Sequence, residues 1–379
     1  MLTSKLPSVS TTIFSVMSKM ATDFNAINLS QGFPNFKSDP ALIELAAKAM
    51  RDGHNQYAPM PGDLLLRERI SEKIQNLHGK HYCPNTEITV TAGATQAIFT
   101  AIAATIEKED EVLIFTPAYD CYEPSVALFG GKVIPVQLGA PFYRPDWNVV
   151  RSKISPKTKM ILVNSPHNPS GMLFTKEDML QLQTIAEENN LLVLSDEVYE
   201  HIIFDGEVHQ SAARFTSLAQ RTFITASFGK TFHTTGWKLG YCVAPQTLMN
   251  EFRKVHQYNV FCVNTPLQKA LATYLEEPSH YLKVADFYQQ KRDYFMSLLK
   301  SSRFKIIPSK GTYFQLLDYT EITNEHDVVF AERLTKEFGV ATIPTSVFNT
   351  EKQDFKQLRV CFAKTEATLK QAAEILNSI

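Results

Sequence analysis

The sequence predicts an α/β fold, in which a large domain with a mostly parallel, doubly wound sheet is joined to a smaller α+β domain. Six apolar segments of strand length occur between residues 87 and 228, and they are runs rich in Val, Ile and Leu rather than apolar–polar alternations. Such runs are typical of strands that are covered on both faces. Segments with helical spacing of apolar residues lie between strands, and this order favours a doubly wound sheet.

The predicted strands follow one another along the chain at residues 87–93, 110–119, 132–138, 159–166, 191–197 and 222–228. The segment after the first strand, ATQAIFTAIAATIEK, is apolar on most sides, which is typical of a buried helix. The segment TKEDMLQLQTIAEENN has its apolar residues on one stripe. It therefore predicts an amphipathic helix between the fourth and fifth strands.

The segments on either side of the sheet also have helix and strand signals. Asp39 as N-cap, Pro40 at the first helical position and Gly53 after the end predict a helix upstream of the sheet. Downstream, a long amphipathic helix is predicted at 282–300, and a closing helix is predicted from Thr365. Three short strands are expected between these two helices, in the segments FKIIPS, TYFQLLD and LRVCFA.

The length of 379 residues exceeds what one hydrophobic core usually organises, so two domains are predicted. The large α/β domain is expected at 38–276. The N-terminal arm, 1–37, is expected to join residues 277–379 in the small α+β domain.

Charge and cysteine content argue against several classes of protein. The chain has 38 Lys and Arg against 39 Asp and Glu, which favours neither nucleic acid nor a membrane surface as a partner. No apolar stretch reaches the roughly 18 residues that span a bilayer. The N-terminal segment has no sustained apolar region, so we expect no signal peptide. The five cysteines include no C-x-x-C pair, which predicts no metal site and a reducing, cytoplasmic location.

Polar residues follow four of the predicted strands. Because ligands of open parallel sheets bind beyond the carboxyl ends of the strands, we expect these residues to share one site. The helix that opens after the first strand offers free N–H groups to an anion. An aspartate at the end of an apolar strand is costly to bury without a cation or donors. The four groups are Gly93-Ala94-Thr95, Asn164 to Gly171, Ser195 to Tyr199, and Ser227 to Lys230.

The triplet Gly229-Lys230-Thr231 matches the end of a nucleotide-binding loop, but the rest of that loop is missing. The loop requires a glycine five residues before Gly229, and Ile224 occupies that position. A branched residue cannot replace the glycine that lets the backbone curl around phosphate. Lys230 is therefore either a solvated surface lysine or a lysine used for its nitrogen chemistry.

One ligand uses every group offered at the strand ends, and that ligand is pyridoxal phosphate. Its phosphate binds a helix N-terminus, a hydroxyl and a cation, and its ring nitrogen binds a carboxylate. Its phenolic oxygen binds Asn and Tyr donors, and its aldehyde binds a lysine. Lys230 and Lys238 are the two lysines next to the sixth strand.

Seven motifs complete this interpretation: INLSQGFPNF, NQYAPMPG, TAGATQA, NSPHNPSG, SDEVYEH, SFGKTFHTTGWKLGY and LRVCFAK. In these motifs and their order, the sequence resembles the class I pyridoxal-phosphate-dependent aminotransferases of fold type I over nearly the whole chain. Within that family it is most similar to the branch that holds bacterial methionine aminotransferase and the kynurenine aminotransferases. Seven ordered motifs are far more specific than any one of them.

The resemblance implies catalytic roles at the matching positions Lys230, Asp196 and Tyr199. Lys230 resembles the lysine that forms a Schiff base with the cofactor and then acts as general base. The second role requires a lowered pKa, which we expect from Lys238 and the cationic cofactor. Asp196 resembles the partner of the pyridine nitrogen, and Asn168 and Tyr199 resemble the donors to the phenolic oxygen.

The resemblance also implies the remaining contacts to the cofactor. Tyr119 matches the aromatic residue that stacks on the ring, with an ordinary core tyrosine as the alternative. Tyr57 matches the residue that reaches the cofactor phosphate of the neighbouring subunit, which implies a homodimer. Many relatives have arginine where Lys238 stands, so the planar fork of arginine is lost here. The implied phosphate cradle consists of Gly93, Ala94, Thr95, Ser227 and Lys238.

The implied substrate-binding residues are Gly32, Asn168 and Arg359. An unpaired guanidinium is disfavoured in the apolar strand LRVCFA, and a bidentate grip on the substrate α-carboxylate would satisfy Arg359. A structural salt bridge is the alternative. Gly32 matches a backbone contact to the same carboxylate. Asn164 belongs to the site region, without an expected direct contact.

The activity implied is transfer of the amino group of an apolar or aromatic L-amino acid to a 2-oxo acid by a ping-pong Schiff-base mechanism. The donors expected are of the methionine, phenylalanine, tyrosine or kynurenine class, because no motif supplies the second arginine of dicarboxylate-specific relatives. Two alternatives remain: a cysteine-conjugate C–S β-lyase, and a non-catalytic cofactor-binding regulator, which the neutral charge disfavours. Candidate pocket aromatics, each of which could equally be core, are Phe14, Phe33, Tyr57 and Phe348.

Overall fold

The computed structural model describes residues 3–379, in which twelve strands form three sheets. The strands are β1 (Ile27–Asn28), β2 (Ile88–Thr91), β3 (Glu111–Thr116), β4 (Lys132–Gln137), β5 (Thr158–Asn164), β6 (Leu192–Asp196), β7 (Thr222–Ser227), β8 (Gly240–Val243), β9 (Phe314–Asp318), β10 (Val340–Ala341), β11 (Ile343–Pro344) and β12 (Gln357–Cys361).

Fifteen α-helices lie in the same residues, and none of them is long and apolar enough to cross a membrane. They are α1 (Ile13–Asp23), α2 (Pro40–Arg51), α3 (Leu64–His78), α4 (Ala94–Thr105), α5 (Tyr122–Leu128), α6 (Trp147–Ser152), α7 (Lys176–Glu188), α8 (Thr216–Ala219), α9 (Phe228–Thr231), α10 (Gln246–Asn259), α11 (Thr265–Tyr274), α12 (Ser279–Leu282), α13 (Val284–Leu298), α14 (Asp327–Arg333) and α15 (Glu366–Leu376).

The central sheet has seven strands in the order β2-β8-β7-β6-β5-β3-β4. The six predicted strands are confirmed and share one direction, whereas β8 is antiparallel to both of its neighbours. The sequence did not predict β8. Its four residues are all buried, and so short an apolar run after a loop does not identify a strand by periodicity.

Gly240, at the start of β8, lies between the C-terminal ends of β2 and β7. It pairs with Thr91 of β2 on one side and with Ser227 of β7 on the other. A Cβ atom at this position would lie 2.4 Å from the carbonyl oxygen of Ala226 and 3.0 Å from the amide nitrogen of Ala94. Only glycine therefore allows the ends of β2 and β7 to approach this closely.

The helix signals in the sequence correspond to real caps. Asp39 accepts a hydrogen bond from the N–H of Ala41 at 2.7 Å, and α2 begins at Pro40 as predicted. Thr175 opens α7 with a capping box, and Thr365 caps α15. The helix predicted at 282–300 forms as α13, and the short helix α12 precedes it.

The smaller sheets lie in the N- and C-terminal parts of the chain. Strands β11, β12 and β9 form an antiparallel sheet, and β1 pairs with β10 in parallel. The strand predicted at FKIIPS is wrong, because only an isolated bridge from Lys305 to Asp318 forms there. The side chain of Gln315 instead binds the backbone of this segment, accepting from the N–H of Ser309 and donating to the carbonyl of Ile307.

The apolar side chains form cores in two places. Clusters on the faces of the seven-stranded sheet make up the first core. The second joins Met17 and Leu29 of the N-terminal segment to residues from Val284 onwards, such as Phe295 and Leu369. Tyr199, which follows β6 of the large sheet, belongs to the second core. The two cores therefore approach each other just beyond the C-terminal end of β6.

Candidate active site

A cavity of about 320 Å³ lies beyond the C-terminal ends of β2, β5, β6 and β7. Every cofactor- and substrate-binding residue predicted from the sequence lines it, except Tyr57. Asn164, for which no direct contact was expected, lines it as well. The predicted residues brought together here are Gly32, Gly93, Ala94, Thr95, Tyr119, Asn168, Asp196, Tyr199, Ser227, Lys230, Lys238 and Arg359.

One end of the cavity suits an anion. Gly93 precedes α4 with a φ of 79°, and no side chain caps this helix, so the N–H groups of its first turn are available. Lys238 has a left-handed backbone with a φ of 53°, and a Cβ at Gly93 would lie 3.6 Å from its Nζ. None of the ion pairs in residues 3–379 includes Lys238. Ser227 adds a hydroxyl at the end of β7.

Asp196, the last residue of β6, is buried and has no cationic side chain within 4.0 Å in the described residues. Its Oδ2 accepts a hydrogen bond from the hydroxyl of Tyr122 at 2.6 Å, and its Oδ1 accepts one from the N–H of Val198 at 3.2 Å. Burial raises the pKa of the carboxyl to about 6 in spite of these donors. A cationic group that entered the cavity beside Asp196 would therefore be strongly stabilised.

Two asparagines connect β5 to the cavity. Asn164, the last residue of β5, donates from Nδ2 to the carbonyl of Asp196 at 2.9 Å and accepts from the N–H of Asn168 at 2.8 Å. This pair fixes the loop that carries Asn168 against the end of β6. The ring of Tyr199 is buried and packs edge-on against Tyr313, with 5.2 Å between centroids, and burial raises its pKa.

The amine of Lys230 lies inside this cavity rather than in solvent. Nζ donates to the hydroxyl of Tyr313 at 2.9 Å and to the carbonyl of Gly32 at 3.1 Å. Burial lowers the pKa of Lys230 to about 8, and the charges of Arg359 and Lys238 act in the same direction. The expected lowering is thus present, but burial rather than Lys238 is its main cause.

Arg359 is a buried cation without a counterion. It is 1% exposed, its Nη1 and Nη2 donate to Asn168 Oδ1 and to the carbonyl of Ser30 at 2.9 Å each, and its Nε has no partner. The guanidinium carbon lies 3.9 Å from the ring centroid of Phe314. No carboxylate in the described part of the chain lies within 4.0 Å, so the alternative of a structural salt bridge is wrong. Such a guanidinium is suited to bind an incoming carboxylate.

Two tyrosines with direct contacts to predicted site residues were missed in the sequence. Tyr122 opens α5 three residues after Tyr119, which was predicted to stack on the cofactor. This short spacing was a sequence signal that Tyr122 also lies near the site. Tyr313 lies just before β9, far away in sequence from Lys230, and nothing in its own segment reveals the contact. A hydroxyl that bonds a distant side chain leaves no local periodicity.

Three other predicted aromatics do not line the cavity. Tyr57 is 83% exposed and packs edge-on against Phe261. Phe33 is exposed and lies over the ammonium of Lys364. Phe348 is buried behind Phe14, with 5.7 Å between ring centroids, and only Phe14 reaches the cavity.

A larger cavity, of about 790 Å³, lies between residues 141–144, 170–176 and 206–210 and residues 305–310. None of the predicted cofactor- or substrate-binding residues lines it.

The smaller cavity fits pyridoxal phosphate in each part of its donor set. The first turn of α4 with Lys238 suits a phosphate, Asp196 suits a protonated ring nitrogen, and the amine of Lys230 is free to meet an aldehyde. The unpartnered Nε of Arg359 suits an amino-acid carboxylate. The fold and the site together define a pyridoxal-phosphate-dependent aminotransferase.

Comparison with known proteins agrees with this class. The sequence matches the family "Aminotransferase class I and II" over residues 25–376. It is 47% identical to methionine aminotransferase of Escherichia coli over 377 residues, covering 99% of this chain and 98% of that protein. It is 34% identical to human kynurenine–oxoglutarate transaminase 3, covering 95% of this chain and 86% of that protein.

Solved structures agree with the sequence matches. The structure of YbdL from Escherichia coli, described as having a methionine aminotransferase function, superposes with a TM-score of 0.98 at 47% identity and covers 100% of both chains. N-succinyldiaminopimelate aminotransferase from Mycobacterium tuberculosis superposes with a TM-score of 0.96 at 34% identity, again over 100% of both chains. The chain belongs to the class I and II aminotransferase family.

Proposed function

We propose that this enzyme transfers the amino group of an apolar or aromatic L-amino acid to a 2-oxo acid in a ping-pong cycle. The donors proposed are of the methionine, phenylalanine, tyrosine or kynurenine class. The observation that carries the proposal is the convergence of Lys230, Asp196 and Arg359 on one cavity, each without an oppositely charged partner within 4.0 Å among the described residues. In this arrangement Arg359 suits the donor carboxylate, Asp196 suits a cationic ring nitrogen, and Lys230 supplies the amine that meets the aldehyde.

Lys230 is proposed as the group that holds the cofactor and then moves the proton. When bound, the cofactor supplies an aldehyde that condenses with amines and a protonated ring that withdraws electrons from the substrate Cα. Once the incoming amine has freed it, Nζ of Lys230 would take the proton from the substrate Cα. It would later deliver a proton to C4′, the cofactor carbon that carried the aldehyde. A pKa of about 8 leaves part of the amine neutral near pH 7, as a general base requires.

Asp196 is proposed to keep the ring nitrogen protonated, and the hydrogen bonds from Tyr122 and Val198 fix its orientation. Asn168 and Tyr199 are proposed as donors to the phenolic oxygen, and Tyr119 as the aromatic stacked on the ring. The phosphate is proposed to bind Gly93, Ala94, Thr95, Ser227 and Lys238.

Arg359 is proposed to bind the α-carboxylate, with Gly32 and Asn168 on either side. Its Nη1 already lies 2.9 Å from Asn168 Oδ1, which holds the guanidinium plane in place before substrate enters. A Cβ at Gly32 would lie 2.7 Å from Phe314 Cζ, so glycine allows the backbone to lie against the Phe314 ring that lines the cavity.

The choice of donor rests on what lines the rest of the cavity. Its aromatic lining comes from Phe14, Tyr119, Tyr122, Tyr199 and Phe314, and Arg359 is the one arginine among its described lining residues. A donor with a second carboxylate would find no second guanidinium there. An apolar or aromatic side chain would lose water contacts and gain contacts to these rings.

We also propose a homodimer in which Tyr57 reaches the neighbouring site. Tyr57 is 83% exposed and lies outside the cavity of its own chain, and Tyr258 is 92% exposed. Large exposed aromatic side chains are enriched where proteins associate.

The domain division at 38–276, with 1–37 and 277–379 in the small domain, is likewise proposed. The separate second core, which includes Met17 as well as Phe295, supports it. A cytoplasmic location stays a prediction from the cysteine pattern.

A single-turnover screen of L-amino acids tests the donor class, with loss of the bound cofactor's visible absorbance as the signal. Methionine and the aromatic donors are expected to react fastest, and aspartate, glutamate and N-succinyldiaminopimelate at least about tenfold more slowly. A faster reaction with any dicarboxylate would contradict the proposed specificity. Pyruvate formed from cysteine conjugates without an added oxo acid would instead support the β-lyase alternative.

A further inference from the structure

We infer that the hydroxyl of Tyr313 and the carbonyl of Gly32 form a holding site for the free amine of Lys230, and that Tyr313 is a positioning residue for its proton transfers. The inference rests on the proposed role of Lys230 and adds a residue outside the predicted site. Tyr313 lies in the chain just before β9, 83 residues after Lys230.

Three polar atoms form a closed triangle. Nζ of Lys230 lies 2.9 Å from the Tyr313 hydroxyl and 3.1 Å from the Gly32 carbonyl oxygen, and the hydroxyl lies 2.5 Å from the same carbonyl. A carbonyl only accepts, so the Tyr313 proton is committed to Gly32 and the hydroxyl lone pairs face Lys230. The amine therefore donates to two neutral oxygens at once.

Neither oxygen is free to move away. Tyr313 is 0% exposed, and its ring packs against Tyr199, Phe314 and Tyr288 with centroid distances of 5.2, 5.0 and 5.6 Å. A Cβ at Gly32 would lie 2.7 Å from Phe314 Cζ, so the backbone there packs closely against the Phe314 ring. The holding site is thus preorganised by the second core.

The holding site matters most when the amine becomes charged. As Nζ takes the proton, the Cα–H bond breaks, an N–H bond forms, and the electron pair stays with the substrate carbon, where a bound cofactor ring would stabilise it. The product is a buried ammonium with no carboxylate within 4.0 Å in the described residues. Two neutral acceptors stabilise this charge without an ion pair that would hold the proton too tightly.

The matched variants are Tyr313→Phe and Tyr288→Phe in the holoenzyme. Each removes one buried hydroxyl from the same aromatic cluster, but the Tyr288 hydroxyl bonds Nδ1 of His233 at 2.9 Å and does not touch Lys230. For Tyr313→Phe we expect the single-turnover rate to fall about 10- to 100-fold, the range for a hydrogen bond to a charged group. The isotope effect with a Cα-deuterated donor should rise, and the donor Kd should stay within about threefold.

A second readout does not depend on turnover. Loaded with pyridoxamine phosphate, which has no aldehyde, the enzyme leaves the Lys230 amine free. Brief reductive methylation at a series of pH values, read by mass spectrometry of the Lys230 peptide, then gives the titration midpoint of that amine. The Tyr313 hydroxyl accepts a hydrogen bond from the ammonium form and stabilises it. Its removal in Tyr313→Phe should therefore shift the midpoint down by about one pH unit or more. Tyr288→Phe should leave it unchanged.

Equal rates and equal midpoints in the two variants would overturn the holding site while leaving the proposed role of Lys230 intact. Multiple turnover retained in Lys230→Ala would instead overturn the proposed function. If Tyr313→Phe fails to fold, 3-fluorotyrosine incorporated at Tyr313 keeps the ring and the hydroxyl but weakens the acceptor. A smaller shift in the same direction is then expected, and an unchanged midpoint contradicts the inference.

Discussion

Two buried polar clusters lie next to each other beyond β6, and they differ in how their charges are satisfied. In the first, Lys73 donates to Glu200 at 2.6 Å and to the hydroxyl of Tyr241 at 2.7 Å, and His209 contacts Glu197 at 2.7 Å. In the second, the candidate active site, Lys230, Arg359 and Asp196 have neutral hydrogen-bond partners and no counterion within 4.0 Å in residues 3–379.

The pKa values follow the same division. Burial would raise the pKa of Glu200, but the charges of Lys73 and His201 outweigh it and hold that pKa well below its usual range. Burial prevails at Asp196 and raises its pKa to about 6. The charges of the paired cluster satisfy one another inside the protein, whereas the unpaired charges remain available to groups that enter the cavity. Adjacent residues of one motif, Asp196 and Glu197, thus belong to different clusters.

The largest expected effect comes from removing the amine of the unpaired cluster. Lys230→Ala should lower multiple-turnover transamination by at least about 10⁴-fold, because both cofactor attachment and base catalysis are lost. Steady-state assays with methionine as donor measure this. Lys238→Ala serves as the control for loss of a nearby charge and should weaken cofactor binding while keeping measurable turnover.

The next largest effect concerns stability and the paired cluster. Lys73→Met should destabilise the protein by about 3–5 kcal/mol, because Glu200 is left as a buried charge without its partner. Lys19→Met is the control: the Lys19–Asp23 pair has the same 2.6 Å distance but side chains that are 76% and 48% exposed. Its loss should cost less than about 1 kcal/mol. Similar urea denaturation midpoints for the two variants would show that burial does not separate these pairs.

Removal of a buried cation from the unpaired cluster should have the opposite effect on stability. Arg359→Met should keep or raise the melting temperature, since it replaces a charge without a counterion by an apolar side chain. It should lower kcat/KM for the donor by about 10²- to 10³-fold through the lost carboxylate contact. Calorimetry and steady-state kinetics on the same sample decide this, and a large drop in melting temperature would identify Arg359 as structural.

The smallest effect is a difference in pH dependence between two carboxyl variants of the cofactor-free enzyme. The folded pKa of Asp196 is raised from 3.8 to about 6, so its ionised form costs stability at neutral pH, and the cost disappears as pH falls toward 4. Asp196→Asn should therefore be more stable than the parent at pH 7, by at most about 3 kcal/mol, and equal to it near pH 4.

Glu200→Gln should show the reverse. Its folded pKa is held below the usual value, so the carboxylate stabilises the fold above about pH 4.5, and this contribution is lost as pH falls further. The variant should be less stable than the parent at pH 7 and approach it in acid. Urea titrations of Asp196→Asn between about pH 4 and 7 and of Glu200→Gln between about pH 3 and 5 give the two slopes, and slopes of the same sign would contradict the division into clusters.

Most of the fold and most of the candidate site could be predicted from the sequence, and the physical reasons are different for the two. Buried parallel strands are continuous apolar runs, and their polar C-terminal neighbours meet at one edge, so the pattern of residues alone brings Asp196 and Lys230 together. Strand β8 was not predicted, because its antiparallel pairing with β7 leaves no local pattern in the sequence. The strand predicted at FKIIPS does not form, because the side chain of Gln315 binds the backbone there, and this contact leaves no local pattern either.

The contacts that were missed are those between distant parts of the chain. Tyr313 reaches Lys230 from just before β9, and Tyr122 reaches Asp196 from the start of α5. A hydrogen bond of this kind depends on the packing of two cores, which no single segment encodes.

Borohydride reduction identifies the lysine that forms the Schiff base with the cofactor. Protein reconstituted with pyridoxal phosphate is treated with borohydride, digested, and mapped by mass spectrometry for the peptide that carries the reduced cofactor. We expect one modified site, Nζ of Lys230, and no modified peptide in Lys230→Ala. Modification at Lys238 or at another lysine, with Lys230 unmodified, would contradict it.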